Sequence, residues 1–223
     1  MSFPANQVAS AHAERAPRQS AAPATRPPAR RWIPIRSLAE RHRPRILAHL
    51  LALPQQDRYL RFGYAASDAQ IARYADLIDF THDEVFGVFN RRLELIAQAH
   101  LAGLKDASEA EFGVSVLPKA RGRGYGARLF DHAVLHARNR GIGTLLIHAL
   151  TQNTPMLRIA RTAGASVESS GGEALGRLRL PPDTLRSHLD AFLESSAAEV
   201  DYRLKSQGKL ANEVIDSAHP SVD

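Results

Sequence analysis

The sequence predicts an α/β fold, a mixed sheet interleaved with helices (α+β in the looser sense), between two extensions of different composition. Three observations carry that expectation. Alternating apolar runs and helical apolar periods follow one another as strand, two helices, hairpin, strand, helix, strand, helix, hairpin. The alternating run Phe112, Val114, Val116 feeds a glycine-rich basic loop that leads straight into a helical segment. A hydrophobic fraction of 44% is enough for a core, and with no cysteine that core has no disulfide to rely on.

In chain order, residues 1–31 are rich in Ala, Pro, Arg and Ser and show no hydrophobic period. They cannot bury enough apolar surface to offset the entropy of ordering, so a disordered basic arm is expected. Residues 32–181 form the expected domain. Trp32–Leu38 alternates as a first strand, at an edge because of Pro34. Arg45–Leu53 carries Ile46, Leu47, Leu50, Leu51 and Leu53 at helical spacing. A second helix follows Ser67 and Asp68, either of which can cap it, with Ile71, Tyr74, Ala75, Leu77 and Ile78 in its period. Asp57–Tyr64 reads as the loop between these helices. Its Arg58 and Arg61 either face a substrate mouth or, more plainly, anchor the loop to carboxylates.

Glu84–Phe89 and Leu93–Leu101 flank Asn90-Arg91-Arg92 as a hairpin. After the glycine loop, Leu129, Phe130, Ala133, Val134 and Ala137 give an amphipathic helix that ends near Gly141 or Gly143. Thr144–Leu150 is almost continuously apolar, which predicts a strand buried on both faces. Asn153–Ala163 is a short helix stopped by Gly164, and Ser166–Ser169 with Ala174–Leu180 closes the sheet as a hairpin around Gly171-Gly172. Over residues 182–223 a helix begun by Pro181-Pro182-Asp183 puts Leu185, Leu189, Phe192, Leu193, Val200 and Leu204 on one side. That stripe packs back onto the domain or serves as a homodimer contact.

The net charge of +6 is unevenly placed. Residues 1–36 hold six arginines against Glu14, whereas the chain from Asp183 onward holds eight acids against four bases. A basic arm and an anion site explain this better than a broad nucleic-acid face, so nucleic acid is not the expected partner. No apolar run approaches the roughly 20 residues that span a bilayer, and the N-terminal residues lack the apolar core of a secretory signal. A cytoplasmic location is therefore expected, with no membrane partner. The missing cysteine also excludes a thiol nucleophile and Cys-ligated zinc.

The loop is the most informative stretch. Gly122, Gly124 and Gly126 let the backbone approach a ligand closely, and the helix beginning near Tyr125 adds roughly half a positive charge at its N-terminus. Together they describe a diphosphate cradle. A nucleotide P-loop would end in Gly-Lys-Ser/Thr, but here Gly126 is followed by Ala127-Arg128. A dinucleotide fingerprint needs a different glycine spacing and an acid ending the next strand, where this chain has Leu150-Thr151-Gln152.

Arg121-Gly122-Arg123-Gly124-Tyr125-Gly126-Ala127 instead resembles the Arg/Gln-x-x-Gly-x-Gly/Ala signature of the GNAT superfamily of acetyl-CoA-dependent N-acetyltransferases. The likeness extends upstream to Val114, Val116 and Pro118, and downstream to Asn153 and to Ala163-Gly164-Ala165. The order of elements from Trp32 to Leu180 is similar too, so the resemblance covers about two-thirds of the chain. It implies a GNAT fold and acetyl-CoA as co-substrate, with its diphosphate on residues 121–127. In the family the strand before the loop and the strand after the next helix splay apart. The freed backbone, here about Val114 to Val116, would pair with the pantetheine amides and offer an N–H to the thioester oxygen. Asn153 would cap its helix or bind pantetheine.

The resemblance implies a primary amine acceptor, small or peptidic, attacking in a ternary complex. A lysine-like amine is neutral in only about one part in a few thousand at pH 7, so a base helps. Glu111, at the start of the loop's strand, is the candidate, because the histone-acetyltransferase branch places its base on the matching strand; the plain alternative is a solvent-facing glutamate. Many members carry a tyrosine four residues before the glycine that ends the second helix, as acid for the CoA thiolate. Here that position is Ala160, and no tyrosine lies in Asn153–Gly164. Tyr125 belongs to the loop, and His148 and His100 on apolar strands read first as satisfied core residues. His132 and His136 share a helix face but lack a third ligand, so a solvated face and no metal are expected. A different class of function, a non-catalytic acyl-CoA-binding regulatory module, also fits the absence of that tyrosine.

Overall fold

The computed structural model describes residues 33–181. The arm expected over residues 1–31 and the extension expected over 182–223 lie outside the described residues. Seven strands form one sheet: β1 (Arg36–Leu38), β2 (Glu84–Phe89), β3 (Leu95–Gly103), β4 (Glu109–Val116), β5 (Thr144–Leu150), β6 (Ser166–Ser170) and β7 (Glu173–Arg179). Their spatial order is β1-β2-β3-β4-β5-β7-β6. Every neighbouring pair is antiparallel except β4 and β5, which run parallel. The mixed sheet expected from the sequence is therefore present.

Among the described residues three helices precede β2, namely α1 (Arg43–Leu51), α2 (Gln55–Phe62) and α3 (Asp68–Asp76). Helix α4 (Tyr125–Asn139) joins β4 to β5, and α5 (Thr154–Thr162) joins β5 to β6. Strand alternation sorts the side chains into two cores. On one face Phe86, Leu101, Phe112 and Ile147 meet Leu129 and Phe130 of α4 and Leu157 of α5. The rings of Phe112 and Phe130 meet edge to face at 4.9 Å. On the other face Val85, Phe89 and Leu95 meet Ile46, Leu50 and Ile71 of α1 and α3.

Local chemistry explains the element ends. Ser67 and Gln70 form a reciprocal capping box at the start of α3. The β2–β3 turn is held by Asn90, whose side-chain oxygen accepts from the Arg92 and Glu94 N–H groups at 2.9 and 3.0 Å. Two expectations need correction. The first strand is only Arg36–Leu38. The supposed inter-helix loop is the helix α2, entered at Pro54 and left at Gly63 (φ +80°). None of the residues in α2 is fully buried, because it faces a cleft and not a core. That is why its apolar period is faint in the sequence.

The parallel pair carries the fold's opening. Strands β4 and β5 are in register only at Glu109–Thr144, Ala110–Leu145 and Glu111–Leu146. Past Glu111 they part. Strand β4 continues beside β3 as far as Val116, and β5 beside β7 as far as Leu150.

Candidate active site

The parting leaves one edge of β4 without a strand partner. Leu117 N–H donates to the Ile96 carbonyl at 3.0 Å, on the β3 side. An antiparallel ladder repeats that orientation every second residue, and the β3–β4 register runs without a break. The main-chain groups of Val114 and Val116 therefore face the gap, while their side chains pack toward α4. The Val116 carbonyl is shared with Arg121, whose Nε donates to it at 3.3 Å.

The loop folds as a cradle at the end of that edge. Pro118–Ala120 makes a single 3-10 turn, and Gly122 and Gly124 then adopt left-handed φ of +73° and +77°, which non-glycine residues rarely hold. Gly124 is the N-cap of α4, with no side-chain cap and no acid in the first turn. The first N–H groups of α4 are thus left for an anion. A Cβ at residue 126 would meet Ile159 Cδ1 at 3.4 Å, an ordinary contact between α4 and α5. Arg121, Gly122, Arg123, Gly124 and Ala127 are exposed, and Tyr125 and Gly126 half-buried. Arg121 also pairs with Asp57 of α2, tying the loop to the cleft's cover. All seven loop residues singled out in the sequence come together at this one helix end.

A cavity of about 710 Å³ opens where β4 and β5 part, reaching from Arg61, Tyr74 and His148 on one face of the sheet to Phe112 and Met156 of the α4-face core on the other. Glu111, where β4 and β5 part, lines it together with Val114 and Asn153. None of residues 121–127 does, so cradle and cavity are separate compartments that meet along β4. Glu111 pairs with Leu146, and His148 lies two residues further along β5, so both project from the same sheet face. His148 is exposed and lines the cavity, so it is not a satisfied core histidine, whereas Leu145, Ile147 and Ala149 on one face and Leu146 and Leu150 on the other keep the rest of β5 buried on both faces as expected. Glu168 and Glu173, on β6 and β7, complete an acidic rim. Asn153 caps α5 by accepting the Met156 N–H at 3.3 Å, and its amide donates to the Leu60 carbonyl of α2 at 3.3 Å.

The two arginines of α2 divide the roles offered for them. Arg58 is the anchor: it donates to Asp68 at 2.6 Å and to the carbonyls of Leu51 and Leu53 at 2.6 and 3.0 Å. Arg61 lines the cavity and lies across the backbone of Gly113. A Cβ at residue 113 would stand 2.5 Å from its Nη2, so only glycine admits the guanidinium in this pose.

Arg61 Nη2 donates to Tyr74 Oη at 2.8 Å, and Tyr74 Oη lies 2.6 Å from His100 Nδ1. His100 Nε2 stands 3.0 Å from Asp83 Oδ2, an ion-pair distance outside hydrogen-bond alignment. Burial pushes the Asp83 carboxyl up, but His100 and the N–H groups of Gly103 and Asp79 outweigh it and hold its pKa below the ordinary value. Sequence reading missed Tyr74 and Asp83. The only signal was a hydroxyl and an imidazole at apolar positions of two different elements.

His132 and His136 are not on a solvated face. His132 is 2% exposed and edge-on to Phe86 at 4.7 Å, and His136 pairs with Glu84 at 3.0 Å. Among the described residues no three metal-capable side chains cluster. No helix among them is long and apolar enough to cross a membrane.

A sheet that opens between two parallel strands, beside an uncapped glycine-loop helix, is an acyltransferase architecture. Residues 33–166 match the family model described as an acetyltransferase (GNAT) domain, and the chain belongs to that family. Solved structures share the fold at low identity. The GNAT domain of S. lividans PAT is 22% identical over 66% of this chain and 89% of its own, with a TM-score of 0.56. Salmonella typhimurium YncA, solved with its cofactor acetyl-CoA, is 15% identical over 68% and 96%, at 0.52. Ribosomal-protein-alanine N-acetyltransferase from Brucella melitensis is 16% identical over 66% and 99%, at 0.50.

Proposed function

We propose that the protein is an N-acetyltransferase that moves the acetyl group of acetyl-CoA to a primary amine by direct attack in a ternary complex. The observation that carries this reading is the parting of β4 and β5 at Glu111, which joins the cradle, an open main-chain edge and the cavity. The α4 N-terminus and residues 121–127 would hold the CoA diphosphate, with Arg121 and Arg123 adding charge. The Val114 and Val116 main-chain groups would pair with the pantetheine amides, and an N–H of this edge would meet the developing oxyanion. Asn153 would fix the start of α5 beside the pantetheine. Glu111, Glu168 and Glu173 make the cavity suit a cationic acceptor, and Glu111 would take the ammonium's first proton.

Acetyl-CoA at 100 times its Kd is expected to stabilise the fold by about 2.7 kcal/mol and raise its melting temperature by several degrees. Gly124→Glu, which puts a carboxylate and a strained φ at the cradle, abolishes that shift. An unchanged melting temperature at millimolar acetyl-CoA sinks the proposal. A screen of polyamines, aminoglycosides, amino acids and lysine peptides for CoA thiol release identifies the acceptor. The alternative, a non-catalytic acyl-CoA-binding module, draws on the buried Ala160 in place of a tyrosine. It predicts the thermal shift without thiol release from any amine.

A further inference from the structure

The Arg61–Tyr74–His100–Asp83 chain has no part in the reaction described so far, yet its first two members line the cavity. We propose that Tyr74, backed by His100 and Asp83, takes the last proton from the reacting nitrogen and returns it to the CoA sulfur. This rests on the acetyl-transfer reading.

The proton count shows the need. A protonated amine loses two protons on its way to an amide. Glu111 takes the first and passes it to water. The neutral nitrogen attacks the thioester carbon, the N–C bond forms, and the nitrogen is again positive with one proton still to lose. Tyr74 Oη accepts that proton as its own phenolic proton passes to His100 Nδ1. The adduct then collapses, the C–S bond breaks, and the electron pair leaves on sulfur. The shuttle runs back from His100 through Tyr74 to the thiolate, giving CoA thiol and restoring the starting state. One proton ends in water and one on sulfur, which balances the reaction.

Each contact suits that role. The shuttle requires the His100 tautomer with its proton on Nε2, 3.0 Å from Asp83 Oδ2, which leaves Nδ1, 2.6 Å from Tyr74 Oη, to accept from the hydroxyl. Protonation of the ring turns a poorly aligned 3.0 Å contact into a charge pair with Asp83. The Arg61 guanidinium at 2.8 Å favours negative charge on Oη as the proton moves. The remaining charged groups nearby are Glu111 on β4 and, beyond Asp83, the exposed Asp79–His82 pair. Helix α5 offers only Ala160 where a tyrosine acid would stand, so α3 supplies the hydroxyl from the acceptor side.

The test compares two acceptors. With an alkyl amine from the screen, Glu111→Gln and Tyr74→Phe both lose kcat, Tyr74→Phe by about 100-fold with the KM for acetyl-CoA unchanged. With hydroxylamine, which is neutral at neutral pH, the Glu111→Gln defect is relieved because no first proton has to leave. The Tyr74→Phe defect persists, and His100→Gln follows it. Phe keeps the edge-on contact of residue 74 with Phe62 at 5.2 Å, so the fold is retained. A Tyr74→Phe enzyme within about threefold of wild type on both acceptors overturns the proposal. A second measurement needs no acceptor: long-range nitrogen–proton NMR of the free protein should show His100 with Nδ1 unprotonated, and a proton found there also overturns it. Wild type that releases no CoA thiol with any amine defeats the acetyl-transfer reading and the shuttle with it, whereas thiol release that survives Tyr74→Phe defeats the shuttle alone.

Discussion

Acidification is expected to weaken this fold through a histidine buried beneath the site. His49 of α1 is 2% exposed. Its Nδ1–H donates to the Leu95 carbonyl at 2.8 Å, and its Nε2 accepts the Ser115 hydroxyl of β4 at 2.8 Å. Burial, reinforced by the charge of Arg61, lowers its pKa to about 4 even though the Leu95 carbonyl favours the protonated ring. The folded value thus lies below the unfolded one, so the unfolded chain binds the proton first. The stabilisation is complete above the unfolded pKa of 6.5 and is lost as pH falls toward about 4. Linkage from these two values gives a loss of about 2 kcal/mol at pH 5 and about 3 kcal/mol at pH 4. Urea unfolding of wild type and His49→Gln, measured between about pH 7 and pH 5, isolates the term because every other group is common to both. Wild type should lose about 2 kcal/mol more than the variant over that range. Parallel curves would refute the burial of a neutral ring at this position.

Gly113→Ala puts a methyl 2.5 to 2.8 Å from the Arg61 guanidinium, which can swing away, so the melting temperature should barely move. The charge-assisted contact with Tyr74 is lost, and kcat should fall by about 10- to 100-fold, as the energy of such a bond implies; unchanged turnover would show that the pose of Arg61 is idle. Asn153→Ala removes the cap of α5 and should cost about 1 kcal/mol in chemical denaturation. If Asn153 only caps, the KM for acetyl-CoA stays as in wild type, and a large rise would assign it to pantetheine.

The cradle was legible because its chemistry is local. Glycines at residues 122 and 124 hold left-handed backbone shapes that need no partner to be recognised, and the helix they open is strongly periodic. Strand β5 was legible for the same reason, since an apolar run with no helical period has few other readings. What escaped detection depends on pairs of elements. Helix α2 hid because it covers a cleft and leaves no fully buried stripe. Tyr74 looked like one more large residue on an amphipathic helix, and its meaning comes only from His100, 26 residues away on β3. His132 and His136 were misjudged in the opposite direction. Their four-residue spacing fits an open face as well as a buried one, and only Phe86 of β2, edge-on to both rings, decides the matter.

The same strand joins the two compartments, and its two-residue repeat explains how. On β4 the side chains of Phe112, Val114 and Val116 enter the α4 core, and the main chain of that same set faces the gap where a thioester would lie. Glu111, Gly113 and Ser115 point the other way and meet the cavity, Arg61 and His49 in turn. In the proposed reaction the co-substrate would be read by backbone and the acceptor by side chains, from alternate residues of one strand. A slip of one residue would put Glu111 into the α4 core and turn the open edge toward β3, so binding and proton transfer would fail together. The register is held against that slip from both sides. Phe112 locks on Phe130 at one face, and Ser115 on His49 at the other. His49→Gln, chosen above for its stability, therefore also tests the site: a loosened Ser115 should raise the KM for amine and acetyl-CoA alike, whereas loss of Tyr74 should lower kcat alone.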